Sequence, residues 1–210
     1  MAKDMLGTLV KKIVDLPSET LGVVCDLAEK LASEVGWEWL TELKKFLRKE
    51  KCWVGVVKGN FLKLISGGES LVLDAVDGTE TLANARDVFA YIDPDLKNWG
   101  TDDKGSATEK ASVVVYEMCG DATFAQMFGE LSSDTKKLCL TQHQIKKFVK
   151  KFPNWFCQDG YSTFFLFESN GNFFVASVPS GSSGEFGVGV DRFEYSRVWD
   201  AGNRRRVVAP

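Results

Sequence analysis

The side chains best equipped for covalent chemistry are His143 and Cys139. His143 is the only histidine, so any Ser–His–Asp or Cys–His mechanism has to use it. The run Thr141-Gln142-His143-Gln144 carries a capping-box signature, which places His143 in the first turn of a helix. There the helix dipole disfavours an imidazolium. Cys139 precedes the helix, so the i,i+4 geometry of one helical face does not apply to the pair. The plain reading is a surface or partly buried first-turn histidine. A zinc site would need Cys119 or Cys157 as well, yet structural zinc uses four N/S ligands, usually as two tight pairs. Asp93, Asp95, Asp102 and Asp103 could face a hard cation, as could Asp74 and Asp77, but EF-hand spacing is missing and these are ordinary turn residues. Gly67-Gly68 and Gly181–Gly189 match neither phosphate-cradling glycine pattern. The sequence therefore assigns no catalytic residue, no metal site and no cofactor.

Two features point to binding. Arg204-Arg205-Arg206 is the densest basic run, with Tyr195 and Trp199 just upstream and Arg192 and Arg197 adding charge. Arginine beside aromatic rings suits single-stranded nucleic acid and equally suits protein hot spots. The plain alternative is an edge strand protected by charge. Tyr195, Trp199, Arg204, Arg205 and Arg206 are thus the candidate binding residues. The second feature is the hairpin over 162–178. In STFFLFE, Phe164 and Leu166 point to one face and Phe165 and Phe167 to the other. An antiparallel sheet with one wet face would alternate apolar with polar residues. Both faces must be covered, by helices of the same chain, by a second sheet, or by a protein partner or second copy.

These residues rest on two kinds of element. Residues 1–50 read as helices. Leu6, Leu9, Val10, Ile13 and Val14 make one apolar stripe. Pro17 stops it, Ser18 offers an N-cap, and Leu21, Val24, Leu27, Leu31 and Val35 continue with helical spacing. Gly36 breaks the pattern before a third run through Trp37, Leu40, Leu43 and Leu47. After Glu50 the period shortens. Residues 52–57, 61–66 and 70–74 read as hairpin-linked strands. Residues 79–89 read as a short helix and 91–110 as a long loop. Ala111–Met118 reads as a strand, and Phe124, Met127, Phe128 and Leu131 mark another helix. The capped helix from Thr141 ends before Pro153. Asn170-Gly171 supplies the positive φ values of a type I′ hairpin turn. Phe186–Tyr195 and Arg206–Val208 add strands. The fold class expected is α+β: an N-terminal helical layer, then a mainly antiparallel sheet with short helices. The domains expected are 1–50 and 51–210.

The chain has 210 residues, 44% of them hydrophobic, and a net charge of −3. It can bury a sizeable core without staples, and its bulk charge is not that of a dedicated nucleic-acid binder. Five scattered cysteines with no CxxC pair suit a reducing compartment. No signal-like h-region and no long apolar run is present, so the expectation is a soluble, cytoplasmic protein without membrane contact. The segments ISGGESLVLDAVDGTETLANARDVFAYIDPDLKNWGT (65–101), VYEMCGDATFAQMFGELSSDTKKLCLTQHQI (115–145) and FFLFESNGNFFVASV with VDRFEYSRVWDAGNRRRVVAP (within 164–210) resemble small hypothetical proteins of candidate-phylum bacteria. The resemblance spans about residues 55–210 and implies a bacterial origin, with no activity to carry over. The leading functional expectation is a non-catalytic protein-interaction or binding protein. The rivals are a hydrolase or transferase using carboxylates of the 74–103 region, and a nucleic-acid-binding accessory protein acting through the C-terminal arginines.

Overall fold

The computed structural model describes residues 16–34, 36–48, 60–67, 71–157 and 161–210, together with Gly7, Val10, Lys11, Ile13 and Val14. The expected strand at 52–57, and Leu6 and Leu9 of the first helical stripe, lie outside the described residues. The chain forms two compact units, Met1–Gly55 and Val56–Pro210.

The first unit contains α1 (Ser18–Ala32) and α2 (Gly36–Leu47), which pack on each other. The N-cap of α1 is Pro17, not Ser18, and it makes no side-chain cap hydrogen bond. Its carbonyl instead accepts from the amides of Thr20 and Leu21. Proline cannot continue a helix backwards, so the helix starts directly after it. Neither helix, nor any other described one, is long and apolar enough to cross a membrane.

The second unit is α+β. Its strands are β1 (Leu62–Leu64), β2 (Leu71–Leu73), β3 (Phe89–Ile92), β4 (Ala111–Met118), β5 (Thr163–Ser169), β6 (Asn172–Val178), β7 (Phe186–Arg192) and β8 (Arg206–Ala209). Its helices are α3 (Asp95–Asn98), α4 (Phe124–Leu131) and α5 (Gln142–Lys151). The strand order is β1-β4-β8-β5-β6-β7-β3, with β2 also on β4. The β5–β8 and β3–β7 pairs are parallel and the rest antiparallel. β1 and β2 were expected to pair with each other. They lie instead end to end along one edge of β4, on Tyr116–Met118 and Ala111–Val113 respectively. At the break between them the Ser66 hydroxyl accepts from the Val115 amide at 2.8 Å, which keeps the β4 ladder satisfied.

Each sheet face carries its own core. Val113, Val115, Phe165, Phe167, Ala176, Val188 and Val208 pack under Ile145, Phe148 and Val149 of α5. Phe164, Leu166, Val175 and Val207 pack under Phe124, Met127 and Phe128 of α4. Alternating residues of β5 thus enter opposite cores, and Phe164, Phe165, Leu166 and Phe167 are all fully buried. The doubly apolar hairpin is covered on both faces by helices of its own chain, so it offers no open apolar face for a partner or a second copy.

Two expectations fail between residues 79 and 110. Leu82–Asn84 is a single 3₁₀ turn, and Phe89 belongs to β3. The apolar spacing there fits a helix, but parallel pairing of Phe89 with Phe186 wins. The stretch 91–110 is also not a plain loop: it holds the end of β3, helix α3 and a bridge between Val76 and Thr108.

Candidate functional site

A cleft of about 600 Å³ opens where the β5–β6 turn, the loop after α3 and the N-terminus of α5 meet. That volume is in the range of small-molecule sites. Glu168, Ser169, Asn170 and Gly171 form one wall, Asp103 to Ser106 another, and Cys139 to Gln142 the floor. The turn is type I′ in character, with Asn170 at φ 50° and Gly171 at φ 72°.

The walls are tied to each other. Gln142, almost fully buried, accepts from the Leu82 amide at 3.0 Å and donates to the carbonyls of Thr101 at 2.7 Å and Asp103 at 3.1 Å. The Ser169 hydroxyl donates to the Asp103 carboxylate at 3.2 Å, and the Asn170 amide donates to the Gly100 carbonyl at 3.0 Å. The Leu140 amide donates to Leu166 at 2.9 Å. Gly105 donates to the carbonyl of Gly78 at 3.0 Å. Gly78 has φ 76°, and a Cβ there would lie 2.3 Å from the Ser106 carbonyl oxygen, so only glycine closes this contact. At the floor, the Thr141 hydroxyl accepts from the Gln144 amide, and Gln144 accepts from the Thr141 amide. This is the capping box expected from the sequence.

The nucleophile-bearing groups in the cleft are quiet. Burial, reinforced by Glu168, pushes the Cys139 thiol up to about 12 despite Lys136, so it stays protonated at neutral pH. Its sulfur donates to the Thr135 carbonyl. The hydroxyls of Thr141 and Ser169 are engaged as described.

His143 is buried, with 5% of its surface exposed. It does not line the cleft that holds Cys139. Its Nδ1 lies 3.1 Å from Asp77 and its Nε2 3.3 Å from Glu80, though neither contact has the alignment of a hydrogen bond. The ladder continues one turn on. Lys146 is bonded to Glu80 and lies 2.8 Å from Asp87, which Lys150 reaches at 3.2 Å. Lys151 reaches Asp74 at 2.8 Å. A hydrogen bond from Lys146 holds Asp87 at about 2 and keeps Glu80 below its usual range. The Thr79 amide does the same for Asp77, and Lys151 for Asp74. Burial opposes the charge on Lys146, but hydrogen bonds to Asp87 and Glu80 outweigh it and leave its pKa raised. The Asp93 carboxylate accepts from the Asp95 amide at 2.9 Å just ahead of α3, whose N-cap is Pro94. Asp74, Asp93 and His143 do not line the cleft, and no three metal-ligating side chains converge among the described residues.

The C-terminal candidates are distributed differently from their sequence order. Trp199 is only 8% exposed and packs on Phe124 and Phe164 with centroids 5.2 and 5.0 Å away. The guanidinium carbons of Arg197 and Arg205 stand 4.4 and 4.9 Å from its ring. Arg205 also lies over Tyr161 at 5.4 Å. Arg204 turns away to Glu117 at 3.0 Å. Arg206 opens β8 opposite Glu117, and Tyr195 is exposed. Sequence reasoning missed Tyr161, which lies 44 positions before Arg205 and joins it only through the fold. It also missed Lys104, Glu168 and Gln142 as cleft residues, for which no local pattern existed. The face of Lys146 and Lys150 was readable as a charged i,i+4 pair, but not its carboxylate partners. No protein family, curated protein or solved structure matches the chain.

Proposed function

We propose that this protein is a non-catalytic binding protein whose ligand occupies the cleft between Asp103–Ser106, Cys139–Gln142 and Glu168–Gly171. The observation that carries this reading is a polar concavity whose thiol is held protonated and whose lining contains no histidine to activate its hydroxyls. Catalysis of the nucleophilic kind needs a lowered pKa or an adjacent base, whereas Cys139 is shifted the other way. A general acid near neutral pH needs a raised carboxyl pKa, whereas Asp74, Asp77, Glu80 and Asp87 are all lowered. These features weigh against a hydrolase or transferase that works through Cys139 or through Asp74, Asp77, Glu80 and Asp87.

The wall chemistry selects the ligand. Asp103 and Glu168 offer carboxylates, with Lys104, Asn170, Ser106 and Thr141 around them. A small polar molecule carrying an ammonium group and several hydrogen-bonding groups fits best, such as an amino acid, a polyamine or the N-terminus of a peptide. The test is a thermal-shift screen with such compounds, backed by NMR shift mapping. Amine ligands are expected to raise Tm in the parent protein and to lose that effect in Glu168→Lys. Resonances of Ser106 and Gly171 should move on binding. A screen in which hits shift neither residue, or act equally on Glu168→Lys, rejects the cleft as the site.

A further inference from the structure

We propose that the stacked surface formed by Tyr161, Arg205, Trp199 and Arg197 binds single-stranded nucleic acid, independently of the cleft. The fold assembles an alternating ladder in which Arg205 lies between two rings, Tyr161 at 5.4 Å and Trp199 at 4.9 Å, and Arg197 covers Trp199 at 4.4 Å. Trp199 is the pedestal. It is anchored by Phe124 and Phe164 and by a two-way backbone bridge to Ala122, so the guanidiniums it carries are held in place rather than free in solvent. A guanidinium pre-positioned on an aromatic ring loses little freedom on meeting a phosphate, which it can bind through two donors.

Two guanidiniums meet at this one indole, and the carboxylates that act on them electrostatically are Asp191 on Arg197 and Asp200 on Arg205, whereas Arg192 stacks on a different ring, Trp99, at 5.3 Å. Glu117 is occupied by Arg204 through both Nε and Nη2. The Asp200 carboxylate caps its own turn at the Gly202 amide, 2.6 Å away. Arg197 and Arg205 share one indole, and burial together with Arg197 lowers the Arg205 pKa. A bridging phosphodiester would relieve that repulsion. Beside Arg205 the Tyr161 ring is open to solvent, 37% exposed. Open rings beside phosphate-reading arginines are what unpaired bases stack on, and duplex bases cannot reach them. An acidic peptide would satisfy the cations but would have no use for the rings.

The test is fluorescence anisotropy of dye-labelled oligo-dT and oligo-U with the full chain over a range of salt. Binding at low salt is expected, with log Kobs falling against log salt by about 0.7 per neutralised phosphate. Arg197 is exposed, so Arg197→Glu should fold normally and weaken binding at least roughly tenfold with a shallower salt slope. Tyr161→Ala should weaken binding about tenfold while keeping the slope, because it removes stacking and not charge. The proposal is overturned by no binding at low salt, by unchanged affinity in Arg197→Glu with native circular dichroism, or by polyglutamate competing as well as the oligonucleotide.

Discussion

Gln142 links the chemistry of the cleft to the stability of the fold. One buried side chain satisfies the Leu82 amide and the Thr101 and Asp103 carbonyls. Leu82 and Thr101 are themselves fully buried, so water cannot replace what Gln142 provides. Leaving a buried polar group unpaired costs about 1–3 kcal/mol. Gln142→Ala orphans at least two such groups and should lower unfolding stability by roughly 2–4 kcal/mol in urea titration. It should also weaken any cleft ligand, since it releases the loop bearing Lys104. A loss below about 0.5 kcal/mol, the size of an ordinary surface substitution, would mean the contacts are not formed. At this scale the sequence was only partly legible. It identified Gln142 as part of a capping box, a local pattern. Its bonds to residues some 40 to 60 positions away have no local signature.

At the scale of elements, helix α5 presents a charged face to the segment carrying Asp74 to Asp87. Every one of those carboxylates is held below its ordinary range. The sign follows from linkage. A carboxylate with a depressed folded pKa contributes stability that is complete above its unfolded value and disappears as pH falls through the folded one. With Asp87 moving from 3.8 to about 2, the window lies between those values. The urea midpoint should therefore fall from about pH 4 to about pH 2, and the fall should be smaller in Lys146→Met, where the depression of Glu80 and Asp87 is largely removed. Equal acid slopes in the two proteins would dismiss the ladder as a source of stability. Elements marked by short-range signals were readable beforehand: α5 by its capping box, β4 by its eight-residue run, and the hairpin by Asn170-Gly171. The Thr123–Gln126 box that opens α4 has the same signature and went unread. The stretch 79–89 misled because its helical spacing competes with a strand partner almost 100 residues away.

For the molecule as a whole, the doubly apolar hairpin foretold that both sheet faces are covered. It could not say what covers them, because burial in a strand records the presence of a lid and not its origin. The lids are α4 and α5, and both cores draw their buried residues from within 71–209. The consequence concerns autonomy. Among the described residues the second unit has helices packed on both faces of its sheet, which is what a domain needs in order to fold alone. The first unit, by contrast, leaves Trp37, Phe46 and Leu47 exposed. A helical piece of that size has little core of its own and depends on its surroundings for stability. A polypeptide of residues 56–210 should therefore melt cooperatively within a few degrees of the sheet domain in the full chain, with its near-ultraviolet circular dichroism retained, because the buried rings around Phe165 and Trp199 are all present. Residues 1–55 alone should show weak helicity and no cooperative transition. If the 56–210 polypeptide is instead molten or insoluble, the helices of the first unit supply cover that the second unit requires, and the chain is one cooperative domain rather than two.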